Sequence, residues 1–259
     1  MELERVFEWT VGDVDFKAAR WRFDLESAGE QASRLRFSAE MGPAPSGLTP
    51  AIERMPDREA EVAEVHDLCV HLGLLRLVMP PLDWWTLTRM GVPAVILHGG
   101  NEAWFAAGGA VETGPSQSET GTVTVSPRDG GLADADDVLA ALEAGGSCVV
   151  DALSRDNYEG RDPGYGPRRG HITGAENVPY LDLIKAETAA FKPVTEIQRL
   201  LGDVLDRERV ITYCGGAIAA TVVAFCLDMC GHDDVRVYDG SLMEWSRRDD
   251  LPMTDPSSG

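Results

Sequence analysis

The stretch Val210–Thr221, VITYCGGAIAAT, limits what this chain can fold into more than any other. Val210, Ile211, Thr212 and Tyr213 are β-branched or aromatic and suit a buried strand. The run Ala219 to Met229, AATVVAFCLDM, is apolar and free of Gly and Pro, which predicts a helix. Cys214 falls at the hinge between them. A side chain there lies at the C-terminal edge of a sheet and in front of a helix N-terminus, where unpaired N–H groups and the positive end of the dipole converge. Gly215 and Gly216 let the backbone curl so that several amides can face the sulfur. Such a setting is expected to lower the thiol pKa and to solvate an anion carried on the sulfur, as a nucleophilic cysteine requires.

Two further motifs accompany the cysteine loop. RRGHITGAENVP (Arg168–Pro179) precedes it and GHDDVRVYDGSLMEW (Gly231–Trp245) follows the helix. With these three motifs in this order, the chain resembles rhodanese-type sulfurtransferases. The resemblance implies an α/β fold with two rhodanese-like domains, each a mainly parallel sheet flanked by helices. Residues 1–113 are expected to be a degenerate, catalytically silent rhodanese-like domain, 114–131 a linker rich in Gly, Pro, Ser and Thr, and 132–259 the catalytic domain.

The length of 259 residues and a hydrophobic content of 44% suffice for two packed cores. A formal net charge of −20 disfavours nucleic acid and anionic membrane as partners, so an anionic substrate needs a local positive pocket. The N-terminal MELERVFEWTVGDVDF lacks a basic segment followed by an apolar one, and no run of about 18 apolar residues occurs, so a soluble, cytoplasmic protein is expected. Five widely spaced cysteines, an odd number, suggest reduced thiols.

In the first half, Arg20–Leu25 suggests a strand and turn, and the segment from Pro56 to Leu74 a helix with core-facing Cys69. His66 and His71, five apart, do not share a helical face and make poor metal ligands. Leu74–Met79 reads as a strand, Trp84–Met90 as a helix, Ala94–Leu97 as a second strand and HGGNEAWFAAG as a turn into a short helix. Laid on the second half, this segment matches Gly91 to Gly231 and Ala94–Leu97 to Asp234–Val237. It is six residues shorter where the cysteine loop belongs and has Pro80-Pro81-Leu82-Asp83 there, with no thiol and two prolines that lack an N–H.

In the second half, Asp134–Leu142 has an acidic first turn and apolar spacing, predicting a helix. Ser147–Ala152 predicts a buried strand ending at Asp151, and Thr195–Leu205 a helix capped by Thr195. Cys148 is expected in the core. Cys226 and Cys230 share a helical face, but no matching second ligand pair accompanies them, so they too read as core; His232 is expected to be exposed. Arg155, Arg161, Arg168 and Arg169 lie within 15 residues and are either loop charges or a positive patch for an anion. By the family pattern Arg168 is the first choice to hold substrate, followed by Arg155 and Arg169. The family's Asp-Ala-Arg-Ser is here Asp151-Ala152-Leu153-Ser154, which removes one arginine. His171 of the GHI motif reads as structural.

The resemblance implies that Cys214 takes a sulfane sulfur from a small anionic donor, holds it as a persulfide, and passes it to a thiol or cyanide in a ping-pong cycle. Gly215, Gly216, Ala217, Ile218, Ala219 and Ala220 would solvate the sulfur through their amides, with neither cofactor nor metal. The loop carries no charge and lacks the hydroxyls typical of mercaptopyruvate enzymes, which favours thiosulfate over 3-mercaptopyruvate. A phosphatase loop of the C-x5-R type is ruled out because Ala220 stands where the arginine is needed, and no C-x-x-C redox motif occurs. A non-enzymatic binding or sulfur-relay module is the rival reading.

Overall fold

The computed structural model describes residues 5–13, 16–29, 32–41, 74–110, 126, 128, 130–162, 164–185, 187–188 and 190–258. The helix expected from Pro56 to Leu74, with Cys69, His66 and His71, and most of the expected linker lie outside these residues.

Near the N-terminus, β1 (Arg5–Asp13), β2 (Phe16–Gly29) and β3 (Ala32–Met41) form an antiparallel meander in that order. Arg20–Leu25 lies wholly within β2, so the chain does not turn there. Next comes α1 (Leu74–Arg89), which corrects the expectation of a strand at Leu74–Met79. A six-residue apolar run fits a buried strand or a buried helix equally well, and packing decides between them. Here Leu77, Leu82 and Trp85 are buried, and Trp84 meets Phe225 edge-on at 4.8 Å between ring centroids. Pro80 and Pro81 sit inside this helix, and the Thr86 and Thr88 hydroxyls donate back to the carbonyls of Leu82 and Trp84. Ala94–Leu97 is not a strand either: Val95 is 95% exposed and no described strand pairs with it. The expected short helix is present as α2 (Gly100–Ala106). No parallel strand pair occurs among the described residues of 1–113.

The second half builds one five-stranded parallel sheet. Its strands are β4 (Leu132–Ala133), β5 (Ser147–Asp151), β7 (Glu176–Asn177), β10 (Arg209–Tyr213) and β11 (Val235–Tyr238), in the order β4-β11-β10-β5-β7. Four short strands stand outside it: β6 (His171–Ile172) pairs with β12 (Met253–Thr254), and β8 (Ile184–Lys185) with β9 (Ala190–Phe191). Both neighbours of the central β10 are parallel to it, so it reads as a continuous buried run, with Val210, Ile211, Thr212 and Tyr213 all fully buried.

The flanking helices are α3 (Ala135–Glu143), α4 (Arg155–Tyr158), α5 (Val194–Leu201), α6 (Ala220–Met229) and α7 (Ser241–Trp245). Asp134 caps α3 in a reciprocal box with Asp137, fixing the predicted start. Thr195 does not cap α5: Pro193 precedes the helix, and the helix ends at Gly202, whose φ is 52°. The hydrophobic α6 is buried nearly all round, with Val222, Val223, Cys226 and Leu227 sealed from solvent. Among the described residues no helix is long and apolar enough to cross a membrane.

Candidate active site

The register of the sheet brings Tyr213, the last residue of β10, opposite Asp151, the last residue of β5. Cys214 follows at once, at the C-terminal edge of a parallel sheet, where such folds place their ligands. The loop from Cys214 to Ala219 then returns the chain into α6, and Cys214 is only 3% exposed.

The loop is held from outside by the Asp239-Gly240-Ser241 turn. The buried Ser241 hydroxyl donates to Tyr238 O (2.8 Å) and accepts from the N–H groups of Cys214 (3.3 Å) and Ala217 (3.1 Å). The first amides of α7 reach across as well: Leu242 N–H donates to Cys214 O at 3.0 Å and Met243 N–H to Gly215 O at 2.9 Å. Ala217 and Ser241 both adopt left-handed backbone, with φ of 60° and 48°, a conformation that disfavours a Cβ. Gly215 is needed for a different reason. A Cβ there would lie 2.2 Å from ring carbons of Tyr165, so the Tyr165 ring lies directly on the loop backbone.

The amides of Ala220, Gly216 and Ala219 face the Cys214 sulfur. The ring of donors expected from Gly215 to Ala220 is therefore narrower, because the Ala217 N–H is taken by Ser241. Contrary to expectation the thiol pKa is raised. Burial pushes it up by more than the three amides lower it, and the neighbouring Asp151 carboxyl adds to the rise. The amides thus serve an anion that the pocket does not otherwise favour. Asp151 is itself fully buried, which pushes its pKa to about 7 against the opposing pull of the Leu153 N–H and the Tyr213 hydroxyl. That hydroxyl also accepts from Ile172 N–H at 3.1 Å, tying the GHI segment to the active strand.

Arg168, expected to hold substrate, is committed elsewhere. Its guanidinium donates to four main-chain carbonyls: Ser246 (3.0 Å), Leu251 (2.8 Å), Trp245 (2.7 Å) and Arg248 (2.6 Å). It clamps the segment after α7, the same helix that straps the cysteine loop. Arg155 is exposed and lies 3.8 Å from Glu159, and Arg161 pairs with Asp156 and Glu159. Arg169 is exposed, and Leu153, at the position of the family's arginine, is buried. His171 is buried, stacks on Tyr158 at 3.7 Å and contacts Tyr158 O through Nδ1 at 2.6 Å, in keeping with a structural role. His232 is half-buried rather than exposed, with Nε2 2.8 Å from Arg207 O. Cys148 and Cys226 are buried free thiols and Cys230 is half-buried.

Sequence reasoning missed Ser241, Tyr165 and Tyr180. The latter two are partly exposed, and burial first and the nearby Cys214 sulfur second push their pKa values up. The signal for Tyr165 was an aromatic residue alone in a run of Gly and Pro, Asp162-Pro163-Gly164-Tyr165-Gly166-Pro167.

The Rhodanese-like domain family matches residues 134–248. The 3-mercaptopyruvate sulfurtransferase of Escherichia coli strain K12 is 30% identical over 237 residues, covering 89% of this chain and 80% of that protein. The thiosulfate sulfurtransferase of Rattus norvegicus is 31% identical over 174 residues, 65% of this chain and 58% of that protein. In structure, the chain resembles the rhodanese-fold crystal structure of SseA from Escherichia coli, with a TM-score of 0.56 and 28% identity over 64% of this chain and 63% of that one. With its cysteine loop, parallel sheet and flanking motifs all in place, the chain belongs to the rhodanese-type sulfurtransferase family.

Proposed function

We propose that this protein moves a sulfane sulfur from thiosulfate, or a related anionic donor such as 3-mercaptopyruvate, through a persulfide on Cys214 to a thiol or cyanide. The observation that carries this reading is the Cys214 sulfur at the end of β10, faced by the amides of Gly216, Ala219 and Ala220. In the first half-reaction the thiolate attacks the outer sulfur of thiosulfate. A new S–S bond forms on Cys214, and sulfite leaves with the electrons of the old one. In the second, the acceptor attacks that outer sulfur and the bonding electrons return to Cys214. The three amides solvate the thiolate before loading and the persulfide anion after it, with no proton donor needed at the sulfur.

The uncharged loop supports thiosulfate, since Gly216 and Ala219 carry no hydroxyl to polarise a ketone. Residues 1–113 serve as a silent relative of the catalytic half. Alignment with the Escherichia coli relative over 89% of the chain supports this, as does the lack of a thiol in the segment Pro80-Pro81-Leu82-Asp83. Steady-state kinetics with varied donor and acceptor test the proposal. Parallel double-reciprocal lines are expected, with turnover lost in Cys214→Ser. Turnover that survives in Cys214→Ser would refute it, and a wild type inert to both donors would favour the relay-module reading.

A further inference from the structure

Most of the cationic groups expected at the donor site are replaced or committed elsewhere. Leu153 replaces one arginine, Arg168 spends its guanidinium on four carbonyls, and Arg155 and Arg161 face carboxylates. Two phenols lie near enough to Cys214 for the charge of its sulfur to act on both. The Tyr165 ring lies on Gly215, next to the nucleophile. Tyr180 is fixed through its N–H to Ala152 O at 2.9 Å, and the Ala152 N–H in turn donates to Tyr213 O at 2.9 Å, one residue before Cys214. Among the described residues neither phenol hydroxyl has a hydrogen-bond partner, and both side chains are partly open to solvent.

Building on the sulfur-transfer reading, we infer that Tyr165 and Tyr180 form the donor subsite, their hydroxyls holding an oxygen of the anionic donor, sulfonate or carboxylate, beside Cys214. Burial keeps both phenols protonated around neutral pH, so both stay donors. An open pair of neutral donors with partly buried rings can bind an oxyanion without bringing a cation next to the buried thiolate. The hydroxyls absent from the loop itself are thereby supplied from two neighbouring segments.

Tyr165→Phe and Tyr180→Phe keep the rings and remove only the hydroxyls. Single-turnover loading of Cys214 is followed by mass with thiosulfate and, separately, 3-mercaptopyruvate, and discharge of the loaded protein by cyanide is timed. Each variant is expected to raise the half-saturating donor concentration about tenfold. The loading rate at saturation and the discharge rate should stay within about twofold. A rise confined to thiosulfate assigns the subsite to sulfonates, and one confined to 3-mercaptopyruvate assigns it to carboxylates. A half-saturating concentration unchanged for both donors in either variant, or discharge slowed as much as loading, overturns the pair as a donor subsite. Calorimetric titration of the reduced protein with sulfite or pyruvate gives a readout independent of sulfur transfer. If wild type never loads, the transfer reading fails, while weaker binding of either anion by both variants would still support the phenols and unchanged binding of both anions would refute them.

Discussion

The sequence comparison of the two halves sets Pro80-Pro81 against the glycine loop at Gly215-Gly216, yet the first pair lies within the 16-residue α1 and the second between β10 and α6. In α1 the prolines have no N–H to offer the preceding turn, and Trp84, in the turn that follows, packs edge-on against Phe225. In the loop, the amides are the working parts: three face the sulfur and two bind Ser241. The difference teaches that an anion site needs a break between strand and helix whose N–H groups are kept, and a second segment that fixes their direction. Here that segment is α7, itself held by Arg168.

The comparison can be broken at the clamp first. Arg168→Ala should lower stability by about 4 kcal/mol, because four charge-assisted bonds are lost and four carbonyls are left to find partners. Urea denaturation measures it, and the donor KM of the folded fraction should be unchanged. A large rise in KM with stability intact would restore Arg168 as a donor ligand.

The next test imports the prolines' defect into the loop. Ala219 has φ −66° and precedes α6, so Ala219→Pro fits the backbone while deleting one amide that faces the sulfur. Persulfide loading should slow roughly 100-fold. Loading at the wild-type rate would mean that this amide is not part of the anion site.

Asp151 sharpens the electrostatic side. Its folded pKa is raised from 3.8 to about 7, so its share of stability is full below the unfolded value and is lost as pH climbs toward 7. Asp151→Asn removes that loss. Relative to wild type, the variant should gain about 4 kcal/mol between pH 4 and pH 8, read from urea curves at the two values. An unchanged difference would place the titration on another group.

The smallest effect is expected at Ala217, whose φ of 60° carries a strain that glycine avoids. Ala217→Gly should raise stability by about 0.5–1 kcal/mol, visible as a higher melting midpoint. A lower midpoint would show that the methyl packing of this fully buried residue outweighs the strain.

The cysteine loop was legible because strand, glycines and helix succeed one another within twenty residues, and Asp134 announced its helix by a local cap. Leu74–Met79 was not, because an isolated apolar run does not reveal which face it will bury. The fate of Arg168 depends on carbonyls 77 to 83 residues away, which no local pattern encodes. The thiol pKa was misjudged for a related reason. Amides converging on Cys214 follow from the loop motif, but how deeply the sulfur is buried follows from the completed fold.

The central claim is that Cys214 carries the transferred sulfur. Intact-protein mass spectrometry after exposure to thiosulfate or 3-mercaptopyruvate tests it most directly, with Cys214→Ser as control. A gain of about 32 mass units, one sulfur, is expected on wild type alone. The same gain on Cys214→Ser, or none on a wild type whose Cys214 thiol is shown to be free, would contradict it.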